Sequence, residues 1–258
     1  MSISASAVAS LRSRTGVSML ACKEALEEAG GDEEKAIEIL KKRGIAQAAK
    51  KAGRAQSQGL IFGAQDGNKA AILLLGCETD FVAKEEDFKS AGQKLVDLRL
   101  HKGEEKAKVE ADEQIPALVN KLGENISLLE AHMVEAPAVG LYIHTNGKIG
   151  VLIGLDGGTQ ELARDLAMHA AAMNPQYVSP DDAPTDMLEK EKEIWMEQLK
   201  KEGKPENIIG NIIQGKAKKF KEEHALLTQP FAKDPGKKVQ DLLGNARVVN
   251  YVRLSVDE

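Results

Sequence analysis

Aromatic side chains are scarce: five Phe, three Tyr and one Trp in 258 residues. An aromatic placed away from an apolar run therefore asks for a reason. Cysteine is scarcer still. Cys22 and Cys77 lie far apart, without metal-type spacing, among apolar neighbours. They read as small core residues in a reducing compartment. No apolar run approaches the ~20 residues of a membrane span, so no membrane association is expected. Positive charge is not in excess, since 35 Lys and Arg against 40 Asp and Glu give −5. That argues against nucleic-acid binding driven by overall charge, because phosphate recognition needs clustered cations.

Catalytic signatures are missing too. Gly154-Leu155-Asp156-Gly157-Gly158 lacks the Lys-Ser/Thr ending of a phosphate-binding loop and reads as a turn. There is no nucleophile elbow. The histidines His101, His132, His144, His169 and His224 show no metal-ligand spacing. His169, on an apolar helix face, reads as a satisfied core or interface residue. Paired carboxylates such as Glu85-Glu86 sit in a solvated run. No cofactor, metal or catalytic residue is expected, and the chain reads as a binding protein rather than an enzyme. The Ser- and Ala-rich N-terminus runs into Leu11 and Val17 with helical spacing and reads as mature sequence of a cytoplasmic protein.

What is present is ordinary for a soluble globular chain, at 42% hydrophobic and 29% charged residues. The pattern predicts an α+β fold. Residues 1–45 form a three-helix module. Gly16 ends its first helix, Ser18 caps the second, with Leu20, Ala25, Leu26 and Ala29 inward, and Asp32 caps a third that Gly44 terminates. The Gly16-Val17 loop, and Ala29-Gly30-Gly31-Asp32 leading into Ala36-Ile37-Ile39-Leu40, resemble ubiquitin-associated-type domains. Residues 46–58 read as a solvated linker helix.

Two related strand–turn–strand–helix units follow, forming a two-part core: 59–138, then 139–178 with 225–258. Asn146-Gly147 is read as a two-residue turn in the second. Residues 179–224 are inserted as an antiparallel helical hairpin, with Leu188, Ile194, Trp195 and Leu199 facing Ile208, Ile209, Ile212 and Ile213. Its charged outer face reads as solvated.

Glu78-Thr79-Asp80-Phe81-Val82-Ala83-Lys84 stands out, as a loop between a buried strand and a helix. Residue statistics favour turning Phe81 back into the core. The second unit manages the same junction with Asp156-Gly157-Gly158-Thr159, without an aromatic. The fold therefore does not demand a ring there, and Phe81 reads instead as an anchor for another protein.

Several blocks together resemble the translation elongation factor Ts family over nearly the whole chain. They are Leu11 to Met19, Cys22-Lys23-Glu24-Ala25-Leu26, Glu78 to Lys84, Gly123-Glu124-Asn125-Ile126-Ser127, Met168-His169-Ala170-Ala171, and Leu227-Thr228-Gln229-Pro230-Phe231. Residues 89–122 fit more loosely. The resemblance implies a guanine-nucleotide exchange factor that binds elongation factor Tu, both GDP-bound and nucleotide-free. It implies that Thr79, Asp80, Phe81 and Val82 contact that partner and dislocate its Mg²⁺. Phe81 would enter between helices of the G domain, and Asp80 would disturb the segment holding the metal. It also implies that the N-terminal module docks on the same domain, with His144 a secondary contact. A homodimer or 2:2 complex is left open. The competing reading is an adaptor whose three-helix unit binds a ubiquitin-like or ribosomal partner.

Overall fold

The computed structural model describes residues 3–256; Met1, Ser2, Asp257 and Glu258, which belong to the expected N-terminal module and second half-core, lie outside the described residues. Helices α1 (Ala5–Thr15), α2 (Met19–Glu28) and α3 (Glu33–Lys51) open the chain. Ser4, Ser18 and Asp32 cap them, each side chain accepting from a backbone N–H three residues on. Val8, Leu11, Cys22, Ala25, Leu26, Ala36 and Leu40 are the buried set. Leu20 corrects the expected stripe. It is 67% exposed, and Cys22 takes the inward place in step with Ala25 and Leu26.

Gly44 does not end α3. It lies inside that helix, where a Cβ would sit 2.9 Å from the Pro116 carbonyl oxygen. Glycine here permits close approach to another helix rather than marking a stop.

β1 (Gln58–Asp66) and β2 (Lys69–Cys77) pair antiparallel around Gly67, whose φ is 56°. A short helix α4 (Asp80–Lys84) precedes α5 (Glu86–Lys102) and α6 (Glu104–Leu122), and β3 (Ser127–Glu135) then pairs with β2. In the second half, β4 (Ala138–Ile143), β5 (Ile149–Asp156) and α7 (Gln160–Met173) repeat the strand–strand–helix order. The hairpin α8 (Thr185–Lys201) and α9 (Glu206–His224) interrupts before a small ribbon, β6 (Pro230–Phe231) with β7 (Asp234–Lys238). α10 (Val239–Leu243) and β8 (Arg247–Ser255) close the chain.

The sheets run β1-β2-β3 and β4-β5-β8, so the second strand of each unit is central in its sheet. The sheets face each other across Ile61, Ile72, Leu74, Val134, Val139, Leu152 and Leu254. The outer face of the first, with Leu73, Leu75 and Cys77, packs on Phe88 and Leu95 of α5. The outer face of the second, with Val151, Ile153 and Leu155, packs on Leu166 and Ala170 of α7. Four layers result: helices, sheet, sheet, helix. Both central strands are covered on two sides, which is why each reads as a continuous apolar run instead of an alternation.

The α8–α9 hairpin has a small core of Leu199, Ile209 and Ile213 with Trp195 and Ile212 against it. Ile194 and Ile208, expected to face inward, are exposed. Among the described residues, no helix is long and apolar enough to cross a membrane.

Candidate functional site

β2 leaves the core at Cys77. The thiol is buried and donates to the Thr79 carbonyl at 3.2 Å. Burial, then the nearby Glu124 carboxylate, push its pKa up to about 11, so it stays protonated and unreactive at neutral pH.

The next residues are tied to a segment 46 positions away in sequence. The Glu124 carboxylate accepts from the backbone N–H of Glu78 at 3.0 Å and of Thr79 at 2.9 Å, and from the Thr79 hydroxyl at 2.5 Å. In return, the Glu78 carboxylate accepts from the Asn125 N–H at 2.7 Å and from Arg54 at 3.3 Å. The Asn125 N–H, then Arg54, hold the Glu78 carboxyl below its ordinary range. Asn125 is itself buried, and its side-chain amide donates to the Arg54 carbonyl at 2.8 Å.

On this base stands α4, a single helical turn where an open loop was expected. Thr79 caps it, its hydroxyl accepting from Val82 N–H at 3.4 Å. Val82 and Ala83 are buried in the first core cluster beside Phe88. Phe81, on the opposite side of the turn, is 76% exposed. Lys84 grips Asp80 at 2.6 Å and lies 5.9 Å from the Phe81 ring centroid. Lys84 is the main reason the Asp80 carboxyl sits below its usual range, so Asp80 is charged at neutral pH. The turn thus shows solvent a ring and a carboxylate, while Thr79 and Val82 fasten it.

Beside α4 lies an open cleft of about 570 Å³, lined by Asp80, Lys84, Lys89, Thr145, Asn146 and Lys148. The expected two-residue turn at Asn146-Gly147 is a longer loop. β4 ends at Ile143 and β5 begins at Ile149, and of this pair only Gly147 has positive φ. Two anchors draw the loop onto β1. The Ile61 N–H donates to the Gly147 carbonyl, and Lys148 Nζ donates to the Gln58 side chain and the Gly59 carbonyl. His144 is exposed on this loop, with Nδ1 3.0 Å from the Tyr142 hydroxyl. The structure therefore brings the stretch that follows His144 to the same cleft as Asp80 and Lys84.

His169 is a satisfied core residue: it is buried, Nε2 is 3.0 Å from the Gln229 side chain, and Nδ1 accepts from Ala232 N–H. Burial lowers its pKa, favouring the neutral ring. Among the described residues, no group of three His, Cys, Asp or Glu side chains is placed to hold a metal. Sequence reasoning missed Glu124, Asn125 and Arg54 as parts of this site. Glu124 and Asn125 were marked only by the block Gly123 to Ser127, whose local reading is a helix stop, with Gly123 at φ 81°, and Arg54 only by its place in a solvated linker.

Residues 78–258 match the family model described as "Elongation factor TS". The chain is 44% identical over 264 residues to the protein named Elongation factor Ts of Marinobacter nauticus, covering 99% of this chain and 91% of that one. To the protein of that name from a Hydrogenobaculum species it is 42% identical over 272 residues, with 99% of each covered. To that of Alcanivorax borkumensis it is 45% identical over 266 residues, covering 97% and 93%.

Proposed function

The chain belongs to the elongation factor Ts family and is a translation elongation factor; we propose that it promotes release of GDP from elongation factor Tu. The observation that carries this reading is Phe81, a large apolar side chain left outside the core on a turn anchored from both ends. A ring carried on such a turn suits an interface anchor, since the backbone that presents it is fixed before binding.

Exchange asks for no bond-making by the factor. It asks for tighter binding to the nucleotide-free partner than to the GDP-bound one. Such coupling is reciprocal, so the factor weakens GDP by the same ratio that GDP weakens the factor. Each tenfold of that ratio needs about 1.4 kcal/mol of differential contact. In our proposal Phe81 wedges between helices of the partner's G domain, and the Asp80 carboxylate unsettles the segment that holds Mg²⁺. Loss of that ion removes the charge neutralising the phosphates, and GDP leaves. The three-helix module, residues 1–45, docks on the same domain, and His144 makes a secondary contact.

The test is release of fluorescent GDP from preloaded elongation factor Tu. Substoichiometric amounts of the chain should accelerate release manyfold, and a large excess of GDP should dissociate the complex of the two proteins. Release at the spontaneous rate, with the chain folded, overturns the proposal.

A further inference from the structure

We infer that Glu124 is a positioning residue for exchange, setting the α4 turn so that the Phe81 ring stands ready to enter the partner; this rests on the exchange reading of α4. A five-residue helix cannot sustain itself, because helix nucleation is unfavourable and α4 adds few bonds beyond its nucleus. Its conformation must come from its attachments. On the inner side those are Val82 and Ala83, buried in the first core, and at the exit Glu85, which leads directly into α5. The entry point is Thr79, and one carboxylate holds that residue by both its backbone N–H and its hydroxyl.

The hydroxyl has two duties. It donates to Glu124, which leaves its lone pairs to accept from Val82 N–H and cap the turn. Were the proton directed elsewhere, the cap would have no fixed orientation. Glu124 thus selects the Thr79 rotamer that starts the helix at Asp80, two residues before the side chain that packs and one before the ring that protrudes. The carboxylate is a suitable choice because three donors converge on it and it can only accept. A glutamine that keeps its oxygen on the two backbone N–H groups turns its NH₂ to the Thr79 hydroxyl, which then accepts and no longer has its own proton held; turned the other way, it leaves both N–H groups without their acceptor. The base beneath is equally fixed, with Glu78 held by Asn125 and Arg54.

The other docking surfaces do not depend on this clamp. Loss of the clamp should therefore appear in the step where the ring enters rather than in capture of the partner. With elongation factor Tu–GDP varied under steady-state exchange, Glu124→Gln should lower kcat about tenfold and leave KM within about twofold. Thr79→Val, which removes only the hydroxyl, should lower kcat about threefold. In a Phe81→Ala background, Glu124→Gln should cost no more than about twofold further, since only the Asp80 carboxylate is left to position. Amide hydrogen exchange of the free protein should show faster exchange at residues 78–85 in Glu124→Gln, with the rest of the chain unchanged.

An unchanged kcat for Glu124→Gln, or a full additional tenfold loss on top of Phe81→Ala, overturns the inference while leaving exchange itself standing. If the parent protein does not release GDP, the exchange reading falls and this role for Glu124 falls with it; the amide measurement still reports whether the clamp holds the turn.

Discussion

Phe81→Ala will slow stimulated GDP release by one to two orders of magnitude and leave the melting temperature where it was. The two halves of that expectation come from one number, the 76% exposure of the ring. A side chain so little buried leaves no cavity when removed, and surface changes of this kind stay within about 0.5 kcal/mol. Against a partner the ring is worth much more. Full burial of a Phe contributes about 1.5–3 kcal/mol, or roughly 10- to 150-fold in the rate it supports. Phe88, seven residues on, is the control with opposite behaviour. It is fully buried against Phe62 and the first core, so Phe88→Ala should lose about 3–5 kcal/mol of stability. Stopped-flow release of labelled GDP, with thermal unfolding of both variants, separates anchor from core. A folded Phe81→Ala protein with the parent's rate would remove Phe81 from the site.

A large effect on stability is also expected at Gly140, far from the exchange turn. A Cβ there would overlap the backbone of Ala163 and Arg164, where α7 lies against β4. Backbone inside a helix cannot step aside as a side-chain tip can. Gly140→Ala must separate α7 from the second sheet, opening contacts among Ala138, Val151 and Ala167. The expected cost is about 3 kcal/mol or more, a fall in melting temperature of ~6–12 °C for a chain of this size. Gly215→Ala gives the opposite sign. That glycine is inside α9 with nothing within 4 Å of a Cβ, so alanine should add about 0.5–1 kcal/mol. Equal melting temperatures for the two variants would refute the close-packing argument.

Much of this architecture was legible because local and tertiary demands agreed. The run Ala70–Cys77 announces a doubly covered strand by having no polar residue in it. α7 announces itself by the Thr159 cap and an apolar face that the sheet then uses. Phe81 could be read as outward-facing because the related unit supplied a comparison inside the same chain. What could not be read depended on partners distant in sequence. Gly44 carries the local mark of a helix end, yet Pro116 decides its role. α4 is shorter than the window over which helical periodicity can be seen. The Asn146-Gly147 pair favours a tight turn, and anchors on β1 draw it open. The ribbon β6–β7 includes Pro230, Pro235, Lys237 and Lys238, none of them strand formers. Glu124 had no local reason to seem more than one acid in a charged segment.

The continuity of α3 has a consequence for how a partner is chosen. Its 19 residues span about 28 Å. Its first half belongs to the three-helix module, while Lys51 near its end donates to the Gly123 carbonyl. Three residues further on, Arg54 enters the base beneath α4. Module and wedge are therefore the two jaws of a fixed calliper, with Gly44 seated on Pro116 as the rivet. A protein offering both surfaces at the wrong separation can be touched by one jaw but not gripped by two. At the right separation, the second contact forms without the loss of freedom a slack tether would impose.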